Sequence, residues 1–133
     1  MNMLCLIKSL LLVALLCVNV GAHAKDPMSV MLPVITPELT PGKVLATKTP
    51  TYLGMPLFIV GDDELSHRWL TMRAPYLKSI HAVGMVVNVK TQAGLARMKS
   101  YGLTIYPVHG RDFARAFGLS HYPVLIKDKE IKQ

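Results

Sequence analysis

Three short apolar runs, separated by segments of helical spacing, restrict this chain to an α/β architecture. The first, Pro56-Leu57-Phe58-Ile59-Val60, suits a strand buried on both faces. After it, Asp62 or Asp63 can cap a helix by accepting from free backbone N–H groups. The series Leu65, Trp69, Met72, Tyr76 and Ile80 keeps to one face of that helix. Pro75 is expected to kink or divide it. The second run, Val83 to Val89, is again a buried strand. Thr91 then caps a helix whose inward positions are Leu95, Met98 and Tyr101, with Gly102 as its stop. Leu103 to Tyr106 makes the third strand. This alternation predicts right-handed crossovers and parallel core strands.

The stretch Tyr101 to Ile126 closes the domain. Gly110 to Phe117 repeats apolar residues at helical spacing (Phe113, Ala114, Phe117), and Gly118 fits the left-handed residue that follows a helix. Pro123 then heads the strand Val124-Leu125-Ile126, where its missing N–H falls at the end of the ladder. The polar Lys127 to Glu130 reads as a tight turn, so Tyr122–Lys127 and Ile131–Gln133 are expected to form a C-terminal antiparallel hairpin on a mixed sheet.

Ahead of the domain, residues 25–55 change character. Pro27, Pro33, Pro37, Pro41, Pro50 and Pro56 punctuate short apolar pieces, which forbids a long helix and disfavours central strands. The expected form is an extended arm or linker, packed along the domain or a partner, or a loosely ordered leader. Residues 1–24 carry Lys8, an apolar run from Ser9 to Val18, and Ala22-His23-Ala24. Small residues at the last and third-last positions suit signal peptidase, so a secretory signal cut between Ala24 and Lys25 is predicted. The run is short for a membrane span, which needs about 20 residues; the alternative is an uncleaved anchor, through which alone the chain would meet the membrane.

Both cysteines, Cys5 and Cys17, lie inside that segment. The predicted mature chain therefore has no thiol, and thiol–disulfide turnover needs one. It keeps 14 Lys plus Arg against 8 Asp plus Glu, a net charge of +6. The basic residues are spread singly, as on solvated faces, although such a balance can also serve nucleic acid or an acidic partner.

The chemistry-bearing candidates are few. Asp62, Asp63 and Glu64 stand at a helix start, where they complement the dipole; a carboxylate-based hydrolase would need them to face a cleft with convergent polar groups. His67, His81, His109 and His121 show no i, i+4 pairing, and no Cys ligand is available, so no metal or other cofactor is expected. Ser66 and Ser120 lack a Gly-x-Ser-x-Gly elbow, and the isolated glycines form no phosphate loop. His121-Tyr122-Pro123 and Trp69 are the candidate partner-binding residues, which could line a groove beside a strand edge that pairs with an extended peptide; the competing and favoured reading of Tyr122 and Trp69 is as core or core-edge residues.

A helix ending in Gly118, a link of a few residues, and Pro123 directly before an apolar strand resemble the way thioredoxin-like domains reach their cis-proline. In such enzymes a Cys-x-x-Cys opens the helix after the first core strand; Gly61-Asp62-Asp63-Glu64-Leu65-Ser66 stands there instead. From Pro56 onward the chain is similar to thioredoxin-like proteins of bacterial conjugation: the integrating conjugative element protein family and the F-type pilus assembly proteins called TrbC. The matching residues are Ile105, Tyr106 and Pro107, then Phe113, then Phe117, Gly118 and Leu119, then Tyr122 and Pro123, with Tyr106 departing from the F-type Asp. The resemblance to the element-encoded family, through the ending Ala-Phe-Gly-Leu-Ser-His-Tyr-Pro-Val-Leu-Ile, covers nearly the whole chain. It implies a thioredoxin-like fold lacking CxxC, in a periplasmic, non-catalytic component of a conjugative type IV secretion apparatus. Other envelope proteins of that machine are the implied partners. The rival readings are a periplasmic hydrolase or metal protein using Asp62, Asp63, Glu64 and the histidines, and a basic accessory that contacts DNA.

Overall fold

Leu57–Gly61 (β3) is the centre of the molecule, and every residue of it is buried. The computed structural model describes residues 26–133; the predicted signal, with Cys5 and Cys17, lies outside the described residues. Two two-residue strands, Thr40–Pro41 (β1) and Thr47–Lys48 (β2), precede β3. After it come helix α1 (Glu64–Ser79), β4 (Val83–Asn88), α2 (Gln92–Lys99), β5 (Thr104–Pro107) and α3 (Arg111–Phe117). The chain closes with β6 (His121–Tyr122), β7 (Val124–Lys127) and β8 (Glu130–Lys132). Among the described residues the fold is mixed α/β: an open six-stranded sheet in the order β2-β8-β7-β3-β4-β5, and three α-helices. β3, β4 and β5 are parallel neighbours, while β7 and β8 form an antiparallel hairpin whose first strand pairs antiparallel with β3.

Because successive side chains of a strand point to opposite faces, β3 feeds two cores. Phe58 and Val60 pack with Trp69, Leu70 and Leu77 of α1 and Leu95 and Met98 of α2. Leu57 and Ile59 pack on the other face with Ala114 of α3, Tyr122, Val124 and Leu39 of the arm. The caps form as their residue types dictate: Asp63 Oδ1 accepts from Ser66 N at 2.8 Å, and Thr91 Oγ1 from Gly94 N at 3.0 Å. Gly118 adopts the left-handed conformation, φ 64°, at the end of α3. α2 stops at Lys99, and the turn at Gly102 (φ 72°) follows it.

The buried face of α1 differs from the predicted stripe. It is Ser66, Trp69, Leu70, Ala74 and Leu77, whereas Met72 is 73% exposed and Tyr76 39%. The cause is polar. Ser66 Oγ accepts from Gly61 N at 3.0 Å and donates to Asp63 Oδ2 at 3.1 Å, which turns Ser66 toward the sheet and Met72 away from it. Pro75 does not divide the helix. Pro75 and Thr71 are both exposed, so water can satisfy the Thr71 carbonyl that a residue with an N–H at 75 would have bonded.

The stretch 25–55, read from sequence as an extended arm, lies along the domain from Asp26 onward. A short 3-10 turn, Pro27–Met31, is capped by Asp26, and Lys99 pairs with the same carboxylate. The Lys99 ammonium, with the Met28 N–H, holds the Asp26 carboxyl below its usual range. Val34 and Leu39 are buried at 5% and 1% exposure. Among the described residues no helix is long and apolar enough to cross a membrane.

Candidate functional site

Two polar groups stand where the parallel strands end. The first fastens the arm. Thr36, 1% exposed, donates through Oγ1 to the Val87 carbonyl at 2.7 Å and accepts there from Gly110 N at 3.0 Å. Its own N–H donates to Asn88 Oδ1 at 2.7 Å. Asn88 Nδ2 in turn donates to the Leu39 carbonyl at 3.0 Å and to the Tyr122 hydroxyl at 3.1 Å. Val34 and Val89 exchange both main-chain bonds, at 2.8 and 3.0 Å. One buried network therefore ties the arm, β4, the start of α3 and β6 together.

Tyr122 lies at its base, 2% exposed, its ring against the backbone of Gly61; a Cβ on Gly61 would lie 2.4 Å from the hydroxyl. Burial pushes the phenol up to about 12; the Asn88 hydrogen bond opposes that shift and the Asp63 carboxylate adds to it. The Tyr122–Pro123 bond is cis, as is Leu32–Pro33.

The strand edge ahead of Pro123 is occupied from within the chain. β1 pairs parallel with β6, Thr40 opposite His121 and Pro41 opposite Tyr122. Thr40 N donates to the Ser120 carbonyl at 3.1 Å and Gly42 N to the Tyr122 carbonyl at 3.0 Å. Gln133 Nε2 fastens the same place, donating to the carbonyls of Gly42 (2.8 Å) and Pro123 (3.1 Å). Pro41 lacks an N–H, so the outer side of β1 is a poor template for another strand.

The second group joins α1 to the end of α2. Tyr101 Oη lies 2.6 Å from His67 Nδ1, and His67 Nε2 lies 2.8 Å from Asp62 Oδ1. Arg97 Nη2 donates to Asp62 Oδ2 at 3.0 Å. With the imidazole proton on Nε2, pointing at the carboxylate, Nδ1 accepts from the phenol. These side chains line an open cleft of about 430 Å³ with Asp63 and Glu64. Of the four histidines, only His67 joins the acids at the helix start; His81, His109 and His121 are exposed elsewhere. Among the described residues no group of three or more His, Cys, Asp or Glu is placed to hold a metal ion.

The predicted partner-binding residues are not brought together as a groove. Trp69 belongs to the core on the face of the sheet covered by α1 and α2, and Tyr122 to the core on the opposite face, covered by α3 and the arm. Tyr122, Pro123 and Trp69 are buried, and only His121 is exposed, where its Nδ1 lies 3.1 Å from Thr40 Oγ1. Thr36 and Asn88, which seal this edge, were missed by sequence reasoning. The one available signal was Asn88 itself, a polar residue at the end of an otherwise apolar strand.

A family model described as "Protein of unknown function (DUF2859)" matches residues 17–131. The chain belongs to this family. No curated protein and no solved structure matches the chain. The DUF2859 match spans the arm as well as the sheet, so the clamp made by Thr36, Leu39 and Asn88 lies within the shared unit.

Proposed function

We propose that this member of the DUF2859 family is a non-catalytic, thioredoxin-like scaffold of the cell envelope. Its role is to hold another protein of a conjugative DNA-transfer apparatus, in the periplasm, through the outer face of its arm. The thioredoxin-like reading is supported by the helix after the central strand, by β7 beside that strand, and by Pro123 between α3 and β7. At the start of α1, where a redox enzyme of that type carries cysteine, stand Asp62, Asp63 and Glu64. The setting in conjugation rests on the resemblance of residues 56–133 to the element-encoded proteins.

The observation that carries the holding role is the arm's two-sidedness. Val34, Thr36 and Leu39 face inward and are buried, while six of the nine exposed large apolar side chains among the described residues, Val30, Met31, Ile35, Leu45, Tyr52 and Met55, lie on the same arm. Exposed apolar side chains gathered on one segment mark an interaction surface more than scattered ones do. The test is replacement of Leu45, Tyr52 and Met55 by serine. The variant is expected to fold and be exported as before yet lose partner capture and transfer; unchanged transfer would refute the arm surface.

One observation favours a second reading, an acid–base enzyme: the Tyr101–His67–Asp62 chain, in which a carboxylate orients an imidazole and the imidazole receives a phenol. Purified protein assayed on chromogenic esters and phosphoesters, with Tyr101→Phe as control, separates the two. Turnover that disappears in Tyr101→Phe would favour the enzyme.

A further inference from the structure

Trp69, a residue with no part in the arm surface, lines a pocket of about 210 Å³ between α1 and the β7–β8 hairpin. The floor is Trp69, Leu77 and Leu125, all buried, and Tyr76 stands half-exposed at the rim. Arg73 and Lys132 supply two cations to the lining. Arg73 Nη2 donates to the main-chain oxygen of the final residue, Gln133, at 3.0 Å, which leaves further guanidinium donors free, and Lys132 has only a distant partner, Glu130 at 4.0 Å. The Trp69 indole is 5% exposed, and its Nε1 is the one buried side-chain polar atom without a hydrogen-bond partner among the described residues. That N–H is fully enclosed by protein, so an occupant of the pocket meets the face or edge of the Trp69 ring and not its donor.

Size and charge together narrow the occupant. Small-molecule sites usually enclose about 300–1,000 Å³, and this pocket is smaller, the volume of an anchoring side chain. Its apolar floor takes an aliphatic group; its two cations, Arg73 and Lys132, take an anionic group beside it. We infer that this pocket binds a peptide segment of a partner protein in which an aliphatic residue is followed by a carboxylate residue, the aliphatic side chain on Trp69 and Leu125 and the carboxylate toward Arg73 and Lys132. This contact lies apart from the arm and stands or falls independently of it.

Trp69 is the single tryptophan of the chain, so its emission reports the pocket without a label. Titration of the purified protein with acetyl-Gly-Leu-Glu-Gly-amide is expected to change that emission saturably. The same peptide with glutamine for glutamate, or with alanine for leucine, is expected to bind about tenfold more weakly, the loss of one charge-assisted or apolar contact. The double variant Arg73→Gln, Lys132→Gln should lose the same factor while keeping its melting temperature, since both side chains lie at the surface. Equal affinity for the glutamate and glutamine peptides, or no saturable change at millimolar peptide, would overturn the inference. So would equally tight binding of hexanoate, because the site would then serve free carboxylates and not a peptide.

Discussion

The Gly42 amide donates to the Tyr122 carbonyl at 3.0 Å, so the main chain leading into Pro123 already has its partner inside the molecule. An extended peptide from another protein cannot pair there unless residues 40–42 leave. Their departure would strip the cover from Tyr122 and draw on Leu39 and Thr36, which are among the most deeply buried residues of the arm. The arm is thus part of the domain's core, and the proposed function assigns recognition to its outer side.

That integration has a measurable energy. Leu39→Ala removes a buried side chain from the second core and is expected to cost about 2–5 kcal/mol. Thr36→Val keeps the shape but leaves the Val87 carbonyl and the Gly110 amide without their hydroxyl partner, and is expected to cost about 1–3 kcal/mol. Urea denaturation of the two variants checks both values. Losses below about 0.5 kcal/mol, the level of ordinary surface substitutions, would show that the arm rests on the domain without supporting it.

Gly61→Ala should destabilise for a different reason. Its new methyl would lie 2.4 Å from the Tyr122 hydroxyl and 2.6 Å from a ring carbon, against a ring that is 2% exposed and has little room to withdraw. Overpacking of this kind costs about 1–3 kcal/mol. Adding Tyr122→Phe removes the hydroxyl contact but not the ring contact, so the double variant should recover part of the loss. Strict additivity of the two substitutions would contradict the placement of Tyr122 against Gly61.

Alkaline stability should carry the mark of Tyr122. Burial pushes its phenol up to about 12, from the ordinary value of about 10 for a tyrosine. Below pH 10 both folded and unfolded states keep the proton, and this residue's contribution is fully present. Between 10 and 12 the unfolded chain releases it while the folded chain does not, so stability falls as pH rises, by about 1.4 kcal/mol per unit. Denaturation at pH 9 and pH 11 should show this excess loss in the natural chain and not in Tyr122→Phe. Equal slopes would mean that the phenol is solvated in the fold.

Much of the framework was legible in the sequence because it is local. Apolar runs marked β3 and β4; Asp63, Thr91 and Gly118 marked helix ends by their own chemistry; the polar Lys127–Glu130 turn marked the hairpin. What escaped was set by distant partners. The arm's five prolines indicate extended backbone but say nothing of where it lies, and the bond that decides it, Thr36 to Asn88, joins residues 52 apart in the chain. The face of α1 was misread because apolar Met72 and Tyr76 fit the stripe, whereas the hydroxyl of Ser66, bonded to Gly61, sets the rotation. In the same way His67 and Tyr101, 34 residues apart, meet only in the fold. Trp69 and Tyr122 are core residues, the reading the sequence favoured, and they do not share a groove because they serve cores on opposite faces of one sheet.

Site-specific photo-crosslinking in cells that encode the whole apparatus tests the central claim most directly. A photo-reactive residue replacing Tyr52, which is 66% exposed on the arm, is expected to trap one discrete envelope protein, and the same residue replacing His81, exposed just past α1, to trap none. Crosslinks from position 81 with none from position 52, in a variant that remains folded and exported, would contradict it.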